Sequence, residues 1–564
     1  MTNLFFLFLF LRYLIMEKLI LKHTLINAIQ HEGKANIQAV LNKIIGENPE
    51  LRKKIGELIP DIKKTIEDVN SWNIEKQKNK LKSLGISIEK KIEEKRGLPD
   101  LPDAKMGKVM TAFPPEPSKY PHIGHAKAAL INYLYAKKYK GKFILRFEDT
   151  NPELSKKEFY DAILDGLKWL GIKWNKLDYV SDHVKEYYKA TERLLKEEKA
   201  YVCVCKQSEI KKNRRLMEEC KCRKNILNEN LELWKKMLTT FKEGEASVRI
   251  KISMEHKNAA MRDPTIMRII DYPHPRIKKK YRVWPIYDFA TALMDSWEGV
   301  THRIRSKEFE MRTELQKFIQ KSLGLKSPYI TEIARFNLKG VPSSGRQIRE
   351  MIKNKELFGW DDPRLTTLIA LKRRGFDSEG IKEFLVSTGV SKSEATLTWD
   401  VLETFNRSII DPKCNRYFCV FDPVEIKIKD FPKVKKVRVH LHPDFPKRGY
   451  REISVNLNKI FVSRDDFKKF KGKEIRLIGL FNVNLDKQAK FTSKEVKMEM
   501  PKIQWVSDKN VPVKIVMNDG SIKKGITEPE IKKVKVDTRL QFVRFGFCKA
   551  DKTKPEFVFY FTHK

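Results

Sequence analysis

A chain of 564 residues has room for several domains, and its 41% hydrophobic and 10% aromatic content excludes global disorder. Lysine and arginine number 114 against 73 acidic residues, a formal charge of +41 that points to a polyanionic partner, nucleic acid or an anionic membrane surface. Seven cysteines in so long a chain exclude a disulfide scaffold.

Residues 1–15 are an apolar leader interrupted by Arg12. It is shorter than the ~20 residues of a transmembrane helix. It also lacks the charge-first order and cleavage site of a signal peptide. Met16 opens an amphipathic helix and reads as the true start, with a weak membrane-surface anchor as the other reading of the leader. From 16 to 100 the apolar spacing predicts a helical region, punctuated at Pro49 and Pro60, with nothing catalytic in it.

A strand follows at "KVMTAF", then the proline-rich loop "PPEPSKYP", and a helix in "PHIGHAKAAL". "KFILRFEDT" reads as a second strand. "SKKEFYDAILDGLKWLGIKW" reads as a helix with a capping box from Ser155 to Glu158, and with Phe159, Ile163, Leu167 and Leu170 on one face. This alternation predicts a parallel α/β sheet with ligands beyond its carboxyl ends, where His122 and His125 lie. From 201 to 280 the pattern is interrupted by a cysteine cluster, a helix "NLELWKKMLTTF" and a strand "ASVRIKI". It resumes over 281–325 with "VWPIYDFATALMDSWEGVTH". Residues 326–407 are helix-rich and basic, and 408–564 alternate with hairpin signals such as Asp519-Gly520, predicting all-β barrels.

Three constellations carry chemistry. His122 and His125 add imidazole donors to a helix N-terminus that already favours anions, and Gly124 leaves room for a nucleotide; two structural histidines are the alternative. Cys203, Cys205, Cys220 and Cys222 form two pairs suited to a tetrahedral structural zinc, with four free thiols as the alternative. Arg364, Lys372, Arg373, Arg374 and the lysine-rich β region could track nucleic-acid phosphates.

"TAFPPEPSKYPHIGHAKAAL" resembles the first motif of class I aminoacyl-tRNA synthetases in the form used by glutamyl- and glutaminyl-tRNA synthetases. The resemblance continues through "FILRFEDTNP", "WPIYDFATALMDSWEGVTHRIRSKEFE", "GWDDPRLTTLIALKRRGF", "NRSIIDPKCNRYF" and "LQFVRFGF". The helical appendage and β-rich tail resemble the archaeal glutamyl type. This implies an α/β multidomain chain with a Rossmann-type class I catalytic domain over 105–200 and 281–325. An acceptor-stem-binding insertion at 201–280 divides that domain, and some relatives carry zinc there. A helical connector over 326–407 and anticodon-binding β-barrels over 408–564 complete the expectation.

The implied reaction takes L-glutamate and ATP, with Mg²⁺, to glutamyl-adenylate, and then charges tRNA(Glu). A cytoplasmic monomer without a stable membrane partner is expected. By the resemblance, His122 and His125 stabilise the α-phosphate and Gly124 admits ATP. Ser344, Gly345 and Arg346 fall on the second class I motif at "SSGRQI". Glu148 would hold the substrate ammonium and Tyr287 would line the pocket, unless it is an ordinary core aromatic. Arg305 in "THRIRSKEF" stands where glutaminyl enzymes have a small residue, and its guanidinium suits a side-chain carboxylate. Arg364, Arg373 and Arg374 would meet tRNA. Two positions depart from the family: Ala112 replaces an arginine of the Thr-Arg-Phe run, and Gly345 replaces the phosphate-binding lysine. With Ala112 the substrate carboxylate falls to Arg305 or to a lysine from elsewhere such as Lys119, which replaces a glycine, and at Gly345 the backbone amides or Arg346 would meet the phosphate. Two alternatives stay open, a catalytically impaired tRNA-binding relative and a glutaminyl-tRNA synthetase.

Overall fold

The computed structural model describes residues 16–29, 33–48, 51, 55–84, 98–334, 336–338, 340–342, 344–393, 395–430, 434–497 and 500–564. The leader and Pro49 lie outside these residues. The chain divides into two compact units, Met1–Pro99 and Asp100–Lys564. Among the described residues no helix is long and apolar enough to cross a membrane.

The first unit is helical, with α1 (16–29), α2 (Ile37–Glu47), α3 (Ile55–Ser71) and α4 (Ile74–Ser83). Ile20, Val40, Ile44 and Ile62 share one apolar cluster, and Leu25, Ala28, Val69 and Leu81 a second. Pro60 does not punctuate a helix as expected. It lies inside α3, where it forfeits one backbone hydrogen bond that the packing of the neighbouring Leu58 and Ile62 outweighs.

In the second unit β1 (Met110–Phe113), β2 (Lys142–Phe147) and β3 (Lys176–Tyr179) form a parallel sheet in that order, with Ala112 opposite Ile144 and Leu145 opposite Leu177. Between them run α5 (Ile123–Lys138) and α6 (Lys157–Trp169). Phe159, Ile163, Leu167 and Leu170 are all buried, as their spacing requires. The Ser155 capping box does not form. The N-cap of α6 is Lys156, with no side-chain hydrogen bond. Tertiary contacts set this turn instead: the Ser155 N–H donates to the Asn151 carbonyl at 3.0 Å, and the Lys156 N–H to the Pro117 carbonyl at 3.2 Å.

The insertion follows α7 (Val184–Lys196). It holds β4 (Ala200–Cys203), α8 (Gln207–Leu216), α9 (Leu227–Thr239), β5 (Ser247–Ile250) and β6 (Thr265–Ile269), and it closes on β7 (Val283–Pro285) as an antiparallel sheet β4-β5-β6-β7. Trp234 and Met237 of α9 pack there against Leu194 and Val248. The chain then returns through α10 (Tyr287–Trp297) and β8 (His302–Ser306) to α11 (Thr313–Ser322) and β9 (Tyr329–Ile333), which pairs parallel with β8. A Thr301 N–H to Met110 carbonyl bond of 2.9 Å ties β8 to β1.

Beyond β9 come α12 (Gly345–Lys353), α13 (Leu368–Arg374), α14 (Ser378–Ser387) and α15 (Trp399–Ile410), with a short parallel pair formed by 336–338 and 395–397. From Asn415 onward the regular elements are mostly strands, in two seven-stranded sheets with a core each and a two-stranded hairpin of Lys436–His440 with Tyr450–Ser454, and the all-β expectation is corrected by a short α-helix at Arg464–Phe470. The final strand, Phe557–His563, packs beside α13.

Candidate active site

His122 is the N-cap of α5, and both imidazoles take part in capping. The Gly124 N–H donates to His122 Nδ1 at 3.0 Å, and the His122 N–H donates to His125 Nδ1 at 3.2 Å. Each Nδ1 accepts a backbone proton, so each ring proton must sit on Nε2. The cap therefore fixes two neutral imidazoles with Nε2–H donors, their rings 4.0 Å apart. A Cβ on residue 124 would stand 2.8 Å from His122 Cε1, so glycine is required there to let the ring lie over the helix start.

The loop Thr366–Leu368 holds this end in place. The Ile123 N–H donates to the Thr366 carbonyl at 3.0 Å, and the Leu368 N–H to the Pro121 carbonyl at 2.8 Å.

Both histidines open onto a cavity of about 860 Å³, within the size range of small-molecule sites. Gly124, Glu148, Tyr287 and Arg305 also line it. Ser344, Gly345 and Arg346 are not in its wall among the described residues. Ser344 caps α12, Gly345 is buried, and the helical rotation then turns Arg346 outward. Its side chain is 86% exposed and pairs with Glu350 at 3.4 Å.

Glu148 lies at the carboxyl end of β2, buried beside charge. Arg146 Nη2 is 3.3 Å from its Oε1, while its Oε2 has no hydrogen-bond partner. Burial pushes the carboxyl up to about 7, against the pull of Arg146 and Arg303. Arg146 is fully buried, bonded also to Glu298 at 2.5 Å and Asp295 at 2.9 Å. The Arg146–Glu148 pair thus lies inside the protein and leaves Oε2 of Glu148 unbonded.

Arg305 lies on β8, 5% exposed. Its acceptors are neutral: Gln316 Oε1 and Thr313 Oγ1, each at 2.6 Å, and the Phe309 carbonyl at 3.3 Å. Its Nε has no acceptor. Burial lowers the pKa of this guanidinium, the signature of a cation short of an anion. Tyr287 opens α10 and packs on Phe309, ring centroids 5.1 Å apart. Ala112 is buried on β1 against Ile144 and Val300, outside the cavity wall.

Sequence reasoning missed Arg303, Arg268 and Lys127, all in the cavity wall. The alternation in "HRIRS" was the available signal, because residues two apart on a strand share a face. Arg303 is 1% exposed, donates to Asp295 at 2.8 Å, and leaves its Nε unpartnered. Lys127, one turn along α5, is buried, which lowers its pKa.

The four cysteines converge. Their sulfurs all lie within 4.8 Å of one another, with Cys203–Cys220 at 3.8 Å and Cys205–Cys222 at 3.9 Å. An S₄ tetrahedron with Zn–S bonds of about 2.3 Å has edges of about 3.8 Å, so the set fits zinc.

The three arginines expected at tRNA differ in placement. Arg364 and Arg373 are partly exposed and already ion-paired, Arg364 with Asp362 at 2.8 Å and Arg373 with Asp361 at 2.6 Å and Asp551 at 3.0 Å. Arg374 cannot meet phosphate. It is 1% exposed and donates to the Thr562 carbonyl at 2.7 Å, with Phe376 and Trp399 flanking its guanidinium. Its other acceptors are the Phe561 carbonyl, which the final strand also carries to α13, and the Pro363 carbonyl, so burial replaces the surface role.

Comparison with known proteins matches residues 108–412 to the catalytic domain of class I tRNA synthetases (E and Q), and residues 414–500 and 502–551 to their anticodon-binding domains. A glutamate–tRNA ligase of Pyrococcus furiosus is 44% identical over 561 residues, covering 95% of this chain and 97% of its own. One from Nitrosopumilus maritimus is 41% identical over 565 residues, covering 96% and 98%. A third, from Methanothermobacter marburgensis, is 36% identical over 558 residues, covering 98% and 100%. With matches of this extent running from the histidine-lined cavity through both β-rich sheets, the chain belongs to the class I tRNA synthetases of the E and Q group.

Proposed function

We infer that the chain is a glutamate–tRNA ligase, activating glutamate with ATP to glutamyl-adenylate and transferring it to the 3′ end of tRNA(Glu). Arg305 carries the reading: a buried cavity guanidinium with neutral acceptors and an unpartnered Nε is completed by a substrate carboxylate. A glutamine amide would leave it short of an anion. Arg303, on the same face of β8, adds a second positive charge in place of the arginine absent at Ala112.

In this assignment Glu148 Oε2 receives the substrate ammonium and Tyr287 closes the pocket wall. The Nε2–H groups of His122 and His125 donate to the α-phosphate as the substrate's α-carboxylate attacks it and pyrophosphate leaves. When bound with ATP, Mg²⁺ would supply charge neutralisation on the polyphosphate. The domains follow the same reading: the helical region to about residue 100, the divided catalytic domain, the insertion at 201–280, the connector to 407, and the anticodon-binding sheets. Arg364 and Arg373 would meet tRNA by exchanging their carboxylate partners for phosphate. The assignment carries with it a cytoplasmic monomer with no stable membrane partner.

The test is charging of tRNA with labelled glutamate and labelled glutamine in parallel. Glutamate alone is expected to be joined. Charging with glutamine would overturn the specificity, and tRNA binding without charging by either would make the chain an inactive relative.

Glu148 makes the reaction pH-dependent. The ammonium needs the carboxylate form, so the KM for glutamate should rise as pH falls below about 7, approaching about tenfold per unit. Glu148→Gln should have a high, flat KM over pH 5.5 to 8.5. A wild-type KM constant across that range would remove Glu148 from the ammonium site.

We also propose one structural Zn²⁺ at the cysteines. Elemental analysis should find about one zinc per chain, and chelation should expose the amides of β4 and β5 to hydrogen exchange. A metal-free protein with full protection there would mean four free thiols.

A further inference from the structure

Position 345 has no side chain, and the stem of a lysine from another element passes beside it. Gly345 is buried at the start of α12, and a Cβ there would stand 2.8 Å from Lys119 Cδ and 3.5 Å from Lys119 Cβ. The stem of Lys119 thus crosses the space that a side chain at 345 would enter. Arg349 of α12 donates to the Ser118 carbonyl at 2.9 Å, fixing the helix to the loop that carries Lys119. Lys119 lines the cavity beside His122 and His125. Lys119 also shares the wall of a smaller cavity with Pro121 and His125, and Arg305 does not line that one. It therefore belongs to the histidine end, away from the amino-acid side chain. Arg346, the alternative, faces solvent.

We propose that Lys119 is the phosphate-binding cation for the ATP polyphosphate, and that glycine at 345 is the space its side chain requires. The pair is a relocated charge: a lysine on the loop before α5 with a glycine at α12, in place of the reverse. An ammonium donating to polyphosphate oxygens strengthens as pyrophosphate takes up negative charge on leaving. The proposal rests on the glutamate–tRNA ligase reading.

ATP–pyrophosphate exchange with glutamate and tRNA present tests it on the full chain. Lys119→Met keeps an unbranched stem over Gly345 and removes the charge. Its exchange rate should fall ~10- to 100-fold, with tRNA binding and melting temperature unchanged. Gly345→Lys alone should also lose activity, because its Cβ meets the stem of Lys119. Combining Gly345→Lys with Lys119→Ala should recover at least about tenfold over Lys119→Ala alone, since either position can then hold the charge. Wild-type exchange in Lys119→Met, or no recovery in a double variant that melts and binds tRNA normally, would overturn the proposal and leave the ligase reading standing. A wild-type chain with no exchange at all would overturn both.

Discussion

Replacing Arg305 by leucine should lower kcat/KM for glutamate by about 10²- to 10⁴-fold, the loss of two or more charge-assisted hydrogen bonds. The guanidinium is 5% exposed, so solvent offers no substitute for the lost partner. The variant should also discriminate less between glutamate and glutamine. That change separates a lost specificity contact from general damage, which would depress both substrates alike. Gln316 and Thr313 lose a donor, and some loss of melting temperature accompanies the substitution. If Arg305→Leu keeps wild-type kcat/KM for glutamate with a normal melting temperature, the side-chain carboxylate is held elsewhere, and Arg303 becomes the first candidate.

His125 should show two separable effects. Alanine there removes an Nε2–H donor from the phosphoryl group, costing about 10²- to 10³-fold in kcat. It also removes the acceptor for the His122 N–H, a helix cap worth about 1 kcal/mol. Asparagine places an acceptor near the Nδ1 position and glutamine places a donor near Nε2. Asparagine should therefore restore the melting temperature without the rate, and glutamine should restore part of the rate without the cap. A rate that follows the melting temperature across Ala, Asn and Gln would reduce His125 to a structural residue.

Local chemistry made much of this site legible in sequence. A strand, a proline-rich loop and a helix start are written by nearest neighbours, and His122 and His125 stand where that punctuation puts them. Arg305 was found by its contrast with a small residue in relatives. Arg303 was passed over, although the alternation in "HRIRS" puts both arginines on one face. Motif spacing located "SSGRQI" on α12 but could not give direction. One residue of helix rotation separates buried Gly345 from Arg346, which is 86% exposed. The capping box at Ser155 failed because loop carbonyls at Asn151 and Pro117 set that turn. Arg374 was beyond sequence reasoning, since its acceptor at Thr562 lies 188 residues further along the chain.

The burial of Arg374 also sets the order in which the protein can be finished during synthesis. Its guanidinium has its place only once the carbonyls of Phe561 and Thr562 are present, and the Thr562 hydroxyl answers by donating to the Arg374 carbonyl. A nascent chain lacking that strand would hold a charged side chain in an apolar surround with two of these carbonyl acceptors missing and the Pro363 carbonyl remaining, which is unfavourable. Helix α13 begins one residue after Thr367, in the segment that clasps the start of α5. The support beneath the two histidines is therefore assembled last, although the histidines leave the ribosome more than 400 residues earlier, at positions 122 and 125 against 561 and 562. A stalled or truncated chain would carry both histidines and still lack part of the packing beneath them.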